Sequence, residues 1–493
     1  MIEGTPGGTL HIDSVLAADC GTTTTKAALM DMVNGQYRFI ARGEVPNTVE
    51  PLQEDASLAV RCALSAIEDI TGRTLVDEKE QLITPERVTG QGVDAFVVTA
   101  SGASPLRMLL AGLSRDFSLA SALRVAHSTY SHIEGIISLD IRAGGRQTPE
   151  EYVRLIHRTH PEVILITGGT DGGSATPVLS IVELVALGCS LLEETARPRV
   201  VYAGNAAIRS QVAEILGPVT ELRTVDNVRP TLEVENLGPA LQEINALYRA
   251  LKLEQEPRFD NLVGWVTSGA VLPTAQALGY VVQYLARLYA QPKGVLGVDL
   301  GGSTTTVIAA TQDTLIPTIR SDLGLGQAIT RVLELIDIED ILRWLPFEMP
   351  PTEARNRILN KALHPTTVPE TRTDLLLEQA VAREVLRLTL EEARASWPAG
   401  LPGLAPELCP FFEPILATGG VLAHAPRHGQ AALVLLDAIQ PVGVTTLVLD
   451  TNGLAASLGA VALVQPQMAA QVLDLGGFVT LGAVVAPVGQ ARE

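Results

Sequence analysis

The sequence predicts an α/β protein made of two similar halves, and two stretches carry that prediction. Near the N-terminus, Val15-Leu-Ala-Ala-Asp19-Cys-Gly-Thr-Thr-Thr-Thr-Lys26 leads from an apolar strand through an Asp, a glycine and a run of hydroxyls into a second apolar strand. Gly297-Val-Asp299-Leu-Gly-Gly-Ser-Thr-Thr-Thr306 does the same and continues into Val307-Ile-Ala-Ala310. Such a turn presents backbone N–H groups and hydroxyls at its tip, and its glycines admit a phosphate where a Cβ would block it. One such loop is a weak signal. Two, separated by most of a domain, suggest a phosphate held between the halves.

Composition bounds the rest. At 493 residues there is room for two or three domains, each with its own core. A hydrophobic content of 46% and a mean hydropathy of +0.24 indicate a folded chain, and 4% aromatic makes its cores aliphatic. No run of about 18 uncharged apolar residues occurs, so no membrane span is expected. Met1 to Asp13 has neither the basic nor the apolar part of a secretory signal. Cys20, Cys62, Cys189 and Cys409 are scattered without ligand spacing, which fits a reduced cytoplasm. The formal charge of −19 argues against non-specific binding to nucleic acid or anionic lipid.

Taken in order, residues 14–45 read as a three-stranded meander: Val15 to Ala18, Ala27 to Met32 and Gln36 to Val45. Asn34-Gly35 between the last two is a strong hairpin signal, since both residues tolerate positive φ. Ala59, Cys62, Ala63, Ala66, Ile67 and Ile70 then fall on one helix face, with Gly72 placed to end the helix. Asp94 to Ala100 is a buried strand, and Ser101-Gly-Ala-Ser-Pro105 a small-residue turn expected to lead into another helix. Residues 160–262 read as an α/β insertion, with strands at Val163–Ile166 and Arg199–Ala203 and a helix over Val178–Leu192. Its Thr167-Gly-Gly-Thr-Asp-Gly-Gly173 loop offers an anion site or a structural turn, and lacks the G-x-G-x-x-G spacing. Pro273 to Ala290 is a helix rich in small residues that leads into the Asp299 loop, after which the meander repeats and Ser321-Asp-Leu-Gly-Leu-Gly326 closes it. Residues 327–400 are helical and charged, and read as a solvated lobe rather than a partner site. Pro414-Ile-Leu-Ala-Thr-Gly419-Gly420-Val421 is a strand ending in paired glycines, and Leu454 to Val464 a helix of small residues. The tail to Glu493 has no clear assignment.

Five elements in this order resemble the actin / 70-kDa heat-shock protein / sugar-kinase ATPase superfamily. The resemblance implies an actin/hexokinase-like (ribonuclease H-like duplicated), two-lobed ATPase fold with an α/β insertion in the first lobe. It maps Asp19–Lys26 and Asp299–Thr306 to the two phosphate loops, Pro273–Tyr280 and Leu454–Val464 to connecting helices, and Thr418–Val421 to the adenosine loop. The expected domains are a first lobe over 1–291 (insertion about 160–262), a second lobe over 292–452, and a connecting helix with tail over 453–493. A narrower resemblance rests on Thr99–Met108, Ile164–Gly173, Tyr202–Asn205, Val225–Pro230 and Leu481–Val488. These are similar to the glutamate mutase accessory proteins, a family also called MutL and unrelated to the mismatch-repair protein. Two departures, a missing Gly-Gly before Leu106-Arg-Met108 and a C-terminus close after Val488, leave partner specificity open.

The family resemblance implies ATP and Mg²⁺ as cofactors and the subunits of an adenosylcobalamin-dependent mutase as partners. Asp19 and Asp299 would hold Mg²⁺, largely through water, and Asp299 could also orient the attacking water. Gly21, Thr22, Thr23, Lys26, Gly301, Gly302 and Thr304 would hold phosphate oxygens, and Gly419 and Gly420 the adenosine. Each has a plainer alternative: the two aspartates capping their own turns, Lys26 a solvated strand-end lysine, the glycine pair a tight strand–helix turn. The pairs His127/His132, His157/His160 and His424/His428 gain no third ligand nearby, so no metal site is expected on them. No Asp-x-His-x-x-Gly occurs, and direct cobalt ligation is not expected. Three functions remain: a reactivating, chaperone-like ATPase; a small-molecule kinase, for which Asp94 or Asp171 would have to serve as base; and a nucleotide-dependent assembly protein.

Overall fold

The computed structural model describes residues 11–47, 55–87, 90–139, 148–267, 270–289, 293–397, 401 and 409–486. Ala290, residues 398–400, Pro487 and Val488, on which expectations fell, lie outside the described residues. The chain divides into two compact units. One comprises Met1–Gly102, Glu256–Ile316 and Leu323–Glu493, the other Ala103–Gln255 with Pro317–Asp322.

In the first unit, β1 (Ser14–Cys20), β2 (Thr24–Val33) and β3 (Gln36–Pro46) form an antiparallel meander. Asn34 and Gly35 turn its hairpin at φ of 52° and 78°, the left-handed pair that a tight two-residue turn needs. The helix Ala56–Thr71 follows. Asp55 caps its start by accepting from the Ser57 N–H at 2.9 Å, and Gly72, at φ 70°, closes its end by donating to the Glu68 carbonyl. Val60, Ala63, Leu64 and Ile67 are its buried face. β4 (Ala95–Ala100), buried at every position, lies parallel to β1.

The second unit is an all-parallel five-stranded sheet. Its strands are β5 (Leu106–Gly112), β6 (Ser131–Ser138), β7 (Val163–Ile166), β8 (Arg199–Tyr202) and β9 (Leu222–Thr224), in the order β6-β5-β7-β8-β9. Strand β5 corrects the sequence reading, which put a helix directly after Ser101–Pro105. Leu106-Arg-Met-Leu-Leu-Ala-Gly112 is one short apolar run with no period of its own, and such a run serves a buried strand or a buried helix equally. Its place between β6 and β7, covered on both faces, decides for the strand.

β10 (Leu272–Pro273) returns the chain to the first sheet beside β4, giving the order β10-β4-β1-β2-β3. After the helix Thr274–Tyr289 come β11 (Gly294–Leu300), β12 (Thr305–Ala310), β13 (Leu315–Arg320), β14 (Phe412–Thr418), β15 (Gly443–Leu449) and β16 (Val479–Ala486). Their order is β13-β12-β11-β14-β15-β16. Without β16 the two sheets are the same: an antiparallel meander whose first strand has two parallel strands on its other side. The unassigned tail supplies β16, antiparallel to β15 at the sheet edge. The described residues between β13 and β14 are largely helical, and Pro351–Leu363 and Arg372–Arg394 bury Ile358, Leu377, Val381, Val385 and Leu386 in the core of the second sheet.

The helices Thr274–Tyr289 and Ala455–Val461 share the core formed by β1, β2 and β4 with Val295, Ile308 and Leu416 of the second sheet. They approach closely because their contact residues are small: a Cβ on Gly459 would overlap the Ala277 carbonyl oxygen. The second helix is shorter than the expected Leu454–Val464. Pro466 opens a new helix, Pro466–Asp474, and biases Gln465 away from helical dihedrals. This duplicated arrangement is the actin/hexokinase-like, ribonuclease H-like α/β fold.

Candidate functional site

The two hydroxyl-rich loops have one geometry. Gly21 N–H donates to the Thr24 carbonyl at 3.0 Å, and Gly301 N–H to the Thr304 carbonyl at 3.0 Å. Asp19 stands opposite Lys26 on β2 and Thr99 on β4; Asp299 stands opposite Thr306 on β12 and Thr418 on β14. Each aspartate is therefore the last but one residue of a central strand, with a tight turn beyond it. The loops also meet. A Cβ on Gly302 would overlap Thr23 Cγ2 and stand 3.2 Å from Thr22 Oγ1, so only glycine allows the second loop to approach the first.

Each loop is held from behind. Asn47 donates through Nδ2 to the Gly21 carbonyl at 2.7 Å and through its N–H to the Thr23 carbonyl at 2.8 Å, and accepts from Thr25 Oγ1 at 2.8 Å. At the matching place after β13, Leu325 and Gly326 donate their N–H groups to the Gly301 and Gly302 carbonyls, at 3.0 and 2.6 Å. Thr305, the counterpart of Thr25, has a buried hydroxyl with no partner among the described residues, and so does Ser303 at the loop tip. Spare hydroxyls on a backbone-lined turn are donors for an anion.

The charged centre gathers Asp19, Lys26, Asp299 and Asp450. Thr99 Oγ1 and Thr274 Oγ1 both donate to Asp19 Oδ1, at 2.7 and 2.9 Å. Burial pushes the Asp299 carboxyl up to about 6, against the pull of the Lys26 ammonium and with the help of the Asp19 and Asp450 charges. Asp450 is fully buried, and burial raises its carboxyl too, although the Leu454 and Ala455 N–H groups donate to it at 2.9 and 2.7 Å. Carboxylates thus outnumber ammonium at this point. A hard divalent cation would relieve that imbalance, and the all-oxygen donors suit Mg²⁺. Among the described residues no group of three or more His, Cys, Asp and Glu side chains forms a metal cage. Mg²⁺ keeps much of its water shell and is commonly held by one or two carboxylates.

Gly419 adopts φ 109°, and a Cβ there would lie 2.7 Å from the Leu300 nitrogen, so it packs on the strand that leads into the second loop. Gly420 opens the short helix Gly420–Ala423, is exposed, and has open space where a Cβ would stand. The first glycine thus meets the needs of the turn, and the second leaves its backbone open to a ligand.

Asp450, Asn47, Thr99 and Thr274 escaped the sequence reading. Each meets the loops through strand register or at a strand end, and only the Asp before a small-residue helix at Asp450 gave a local hint. Other singled-out residues are engaged elsewhere. Asp94 Oδ2 accepts from the Asp13 and Ser14 N–H groups at 2.9 and 3.0 Å. Asp171, in the second unit, accepts from Ala206 N–H and Asn227 Nδ2 at 2.8 and 2.9 Å. Its glycine loop is knit together by Asn205, which accepts from Gly172 N–H and donates to the Gly173 carbonyl. A cavity of about 870 Å³ lies between the helices Pro351–Leu363 and Arg372–Arg394. Its cations are already paired, Arg357 with Glu353 and Asp374 and Lys361 with Glu378. No helix among the described residues is long and apolar enough to cross a membrane.

A family model described as MutL protein matches residues 15–475. The chain belongs to the MutL protein family. Protein MutL of Clostridium tetanomorphum is 23% identical over 447 residues, covering 85% of this MutL chain and 88% of its own. Among solved structures, the chain is similar to the activator of the 2-hydroxyisocaproyl-CoA dehydratase from Clostridium difficile with bound ADPNP, at 10% identity and a TM-score of 0.33 over 94% of this chain and 97% of that one. It is similar also to a diol dehydratase-reactivating factor in nucleotide-free form, at 9% identity and a TM-score of 0.33 over 92% and 99%. Xylulose kinase from Bifidobacterium adolescentis matches at 12% identity and a TM-score of 0.30 over 97% of each chain.

Proposed function

We propose that this MutL family member binds and hydrolyses Mg-ATP, and uses the resulting change of conformation to service an adenosylcobalamin-dependent mutase as a reactivating factor. The observation that carries the nucleotide reading is the matched pair Asp19 and Asp299, each ending a central strand ahead of loops that touch at Gly302 and Thr23. Phosphoryl transfer asks a protein for positioning and charge neutralisation rather than covalent chemistry. The Gly302 N–H group, with the Thr22, Thr23 and Thr304 hydroxyls, donates to phosphate oxygens. Gly21 and Gly301, whose own N–H groups close the turns onto Thr24 and Thr304, let the phosphate approach without a Cβ in the way. Lys26 adds a positive charge. Mg²⁺, when bound through water by Asp19 and Asp299, supplies the remaining neutralisation of the β- and γ-phosphates. Thr99 and Thr274 fix the Asp19 carboxylate. Asp299 orients the attacking water and accepts its proton as the new P–O bond forms and the bond from the γ-phosphorus to the bridging oxygen breaks, with ADP as the leaving group. Gly419 and Gly420 carry the adenosine side.

The mutase as partner is supported by the family, through the sequence motifs that resemble the glutamate mutase accessory proteins. A kinase would need a free base for an acceptor hydroxyl, and Asp94 and Asp171 are both committed to backbone groups. The test is phosphate release from Mg-ATP by the purified protein, alone and with a cobalamin-dependent glutamate mutase, beside Asp299→Ala. Slow release that rises with the mutase and disappears in the variant is expected. Release that ignores the mutase but rises with a small acceptor would move the assignment to a kinase. Tight ATP binding without release would point to nucleotide-dependent assembly.

A further inference from the structure

The loop that follows β15 belongs to the second half of the fold, yet residues of the first half hold it. Gly453 adopts φ 66°, and a Cβ there would stand 3.0 Å from both Cδ and Nζ of Lys26. Arg42 Nη1, on β3, donates to the Asn452 carbonyl at 3.0 Å. Three residues before Gly453 is Asp450, without exposed surface. Its two oxygens accept from the Leu454 and Ala455 N–H groups, which start the helix Ala455–Val461, and Oδ2 also accepts from Thr418 Oγ1 at 3.1 Å, just ahead of the Gly419-Gly420 pair. The repeat sharpens the point. In the first half the helix after β10 begins at Thr274, a neutral residue whose hydroxyl serves Asp19. In the second half the corresponding place, between β15 and its helix, holds a buried charge.

A fully buried carboxylate needs a counter-charge or a full set of donors. Of the two cations beside this loop, Arg42 is engaged with the Asn452 carbonyl and Glu44, whereas Lys26 packs on Gly453 and is also the residue opposite Asp19 on the strand leaving the first phosphate loop. We infer that Asp450 is a positioning residue which, through Lys26, links the first phosphate loop to the start of the helix Ala455–Val461, and that bound phosphate competes with it for the same ammonium. The inference rests on the ATP reading above and adds a direction to it. As phosphate draws Lys26 away, the buried carboxylate loses its counter-charge and the helix start loosens. That helix sits against Ala277 of the other connecting helix through Gly459, so a change at its first turn reaches the helix crossing.

The test is hydrogen exchange at the amides of residues 454–461 in the full chain, with and without Mg-AMP-PNP, whose binding is measured on the same samples. Wild-type protection should fall at least fivefold when the nucleotide binds. In Lys26→Met these amides should exchange fast without nucleotide and show no further change. Asp450→Thr, which keeps a capping side chain like that of Thr274 and removes the charge, should give the same exchange in both states. Saturable binding with unchanged or increased wild-type protection would overturn the link and leave the ATP reading standing. A wild-type fall that persists in Lys26→Met would overturn the role of Lys26. No saturable binding would overturn the ATP reading and the competition with it.

Discussion

Gly459 lies so close to Ala277 that a Cβ on it would overlap the Ala277 carbonyl oxygen and stand 3.0 Å from its Cα. The obstacle is backbone within a helix, which cannot step aside as a side-chain tip would. Gly459→Ala should therefore destabilise the protein by roughly 1–3 kcal/mol or more, the usual range for overpacking. Gly420→Ala, where a Cβ meets open space, should stay within about 0.5 kcal/mol. Urea denaturation of both variants checks this, and equal stabilities would show that the helix crossing yields.

The contact between the phosphate loops offers a test with its own suppressor. A Cβ on Gly302 would overlap Thr23 Cγ2 and stand 2.9 Å from Thr23 Oγ1. Gly302→Ala is expected to spread the loops and weaken Mg-ATP binding about tenfold, a loss of about 1.4 kcal/mol. Thr23→Ser deletes the obstructing methyl and keeps the hydroxyl. Combined with Gly302→Ala it should recover most of the affinity in calorimetric titration. A double variant no better than Gly302→Ala would place the cause elsewhere.

Those loops are legible in the sequence because everything they need is local: a strand, an Asp, glycines and hydroxyls in succession. The parts that orient them are not. Thr99 reaches Asp19 because β4 lies beside β1, and Thr274 because β10 brings the chain back after the long excursion Ala103–Gln255. Asn47 reads as an ordinary residue at the end of a strand until it is seen bonding to Gly21 and Thr23. β5 was misread for a different reason: a seven-residue apolar run carries no periodicity, and only its neighbours in the sheet decide its conformation. β16 alternates weakly at a sheet edge, where little burial writes itself into the pattern.

Thr99 and Thr274 converge on one oxygen of Asp19, at 2.7 and 2.9 Å. Hydrogen bonds to a charged group contribute about 1.5–3 kcal/mol each. If Asp19 acts on bound Mg-ATP as proposed, Thr99→Val or Thr274→Val should lower kcat roughly tenfold with KM changing less. The Thr→Ser variants should retain most activity. Equal losses in Val and Ser variants would assign the threonines to packing alone.

The Asp299 carboxyl, pushed up to about 6, makes the nucleotide-free protein sensitive to pH. Burial comes first among the causes and penalises the charged form. A carboxyl whose folded value lies above its unfolded value favours folding while protonated. Its contribution is fully present below about pH 4, and is lost as pH rises through about 6. Asp299→Asn, neutral at every pH, should match the wild type in melting temperature near pH 4 and exceed it by a few degrees at pH 8. Mg-ATP should reverse the order at pH 8, since ligand binding to the folded state raises its stability and the wild type alone keeps both carboxylates for the cation. Differential scanning fluorimetry across pH 4–8, with and without Mg-ATP, reads both effects. A nucleotide-free Asn variant less stable than the wild type at pH 8 would mean that the Asp299 charge is compensated in the folded protein, with Lys26 outweighing burial.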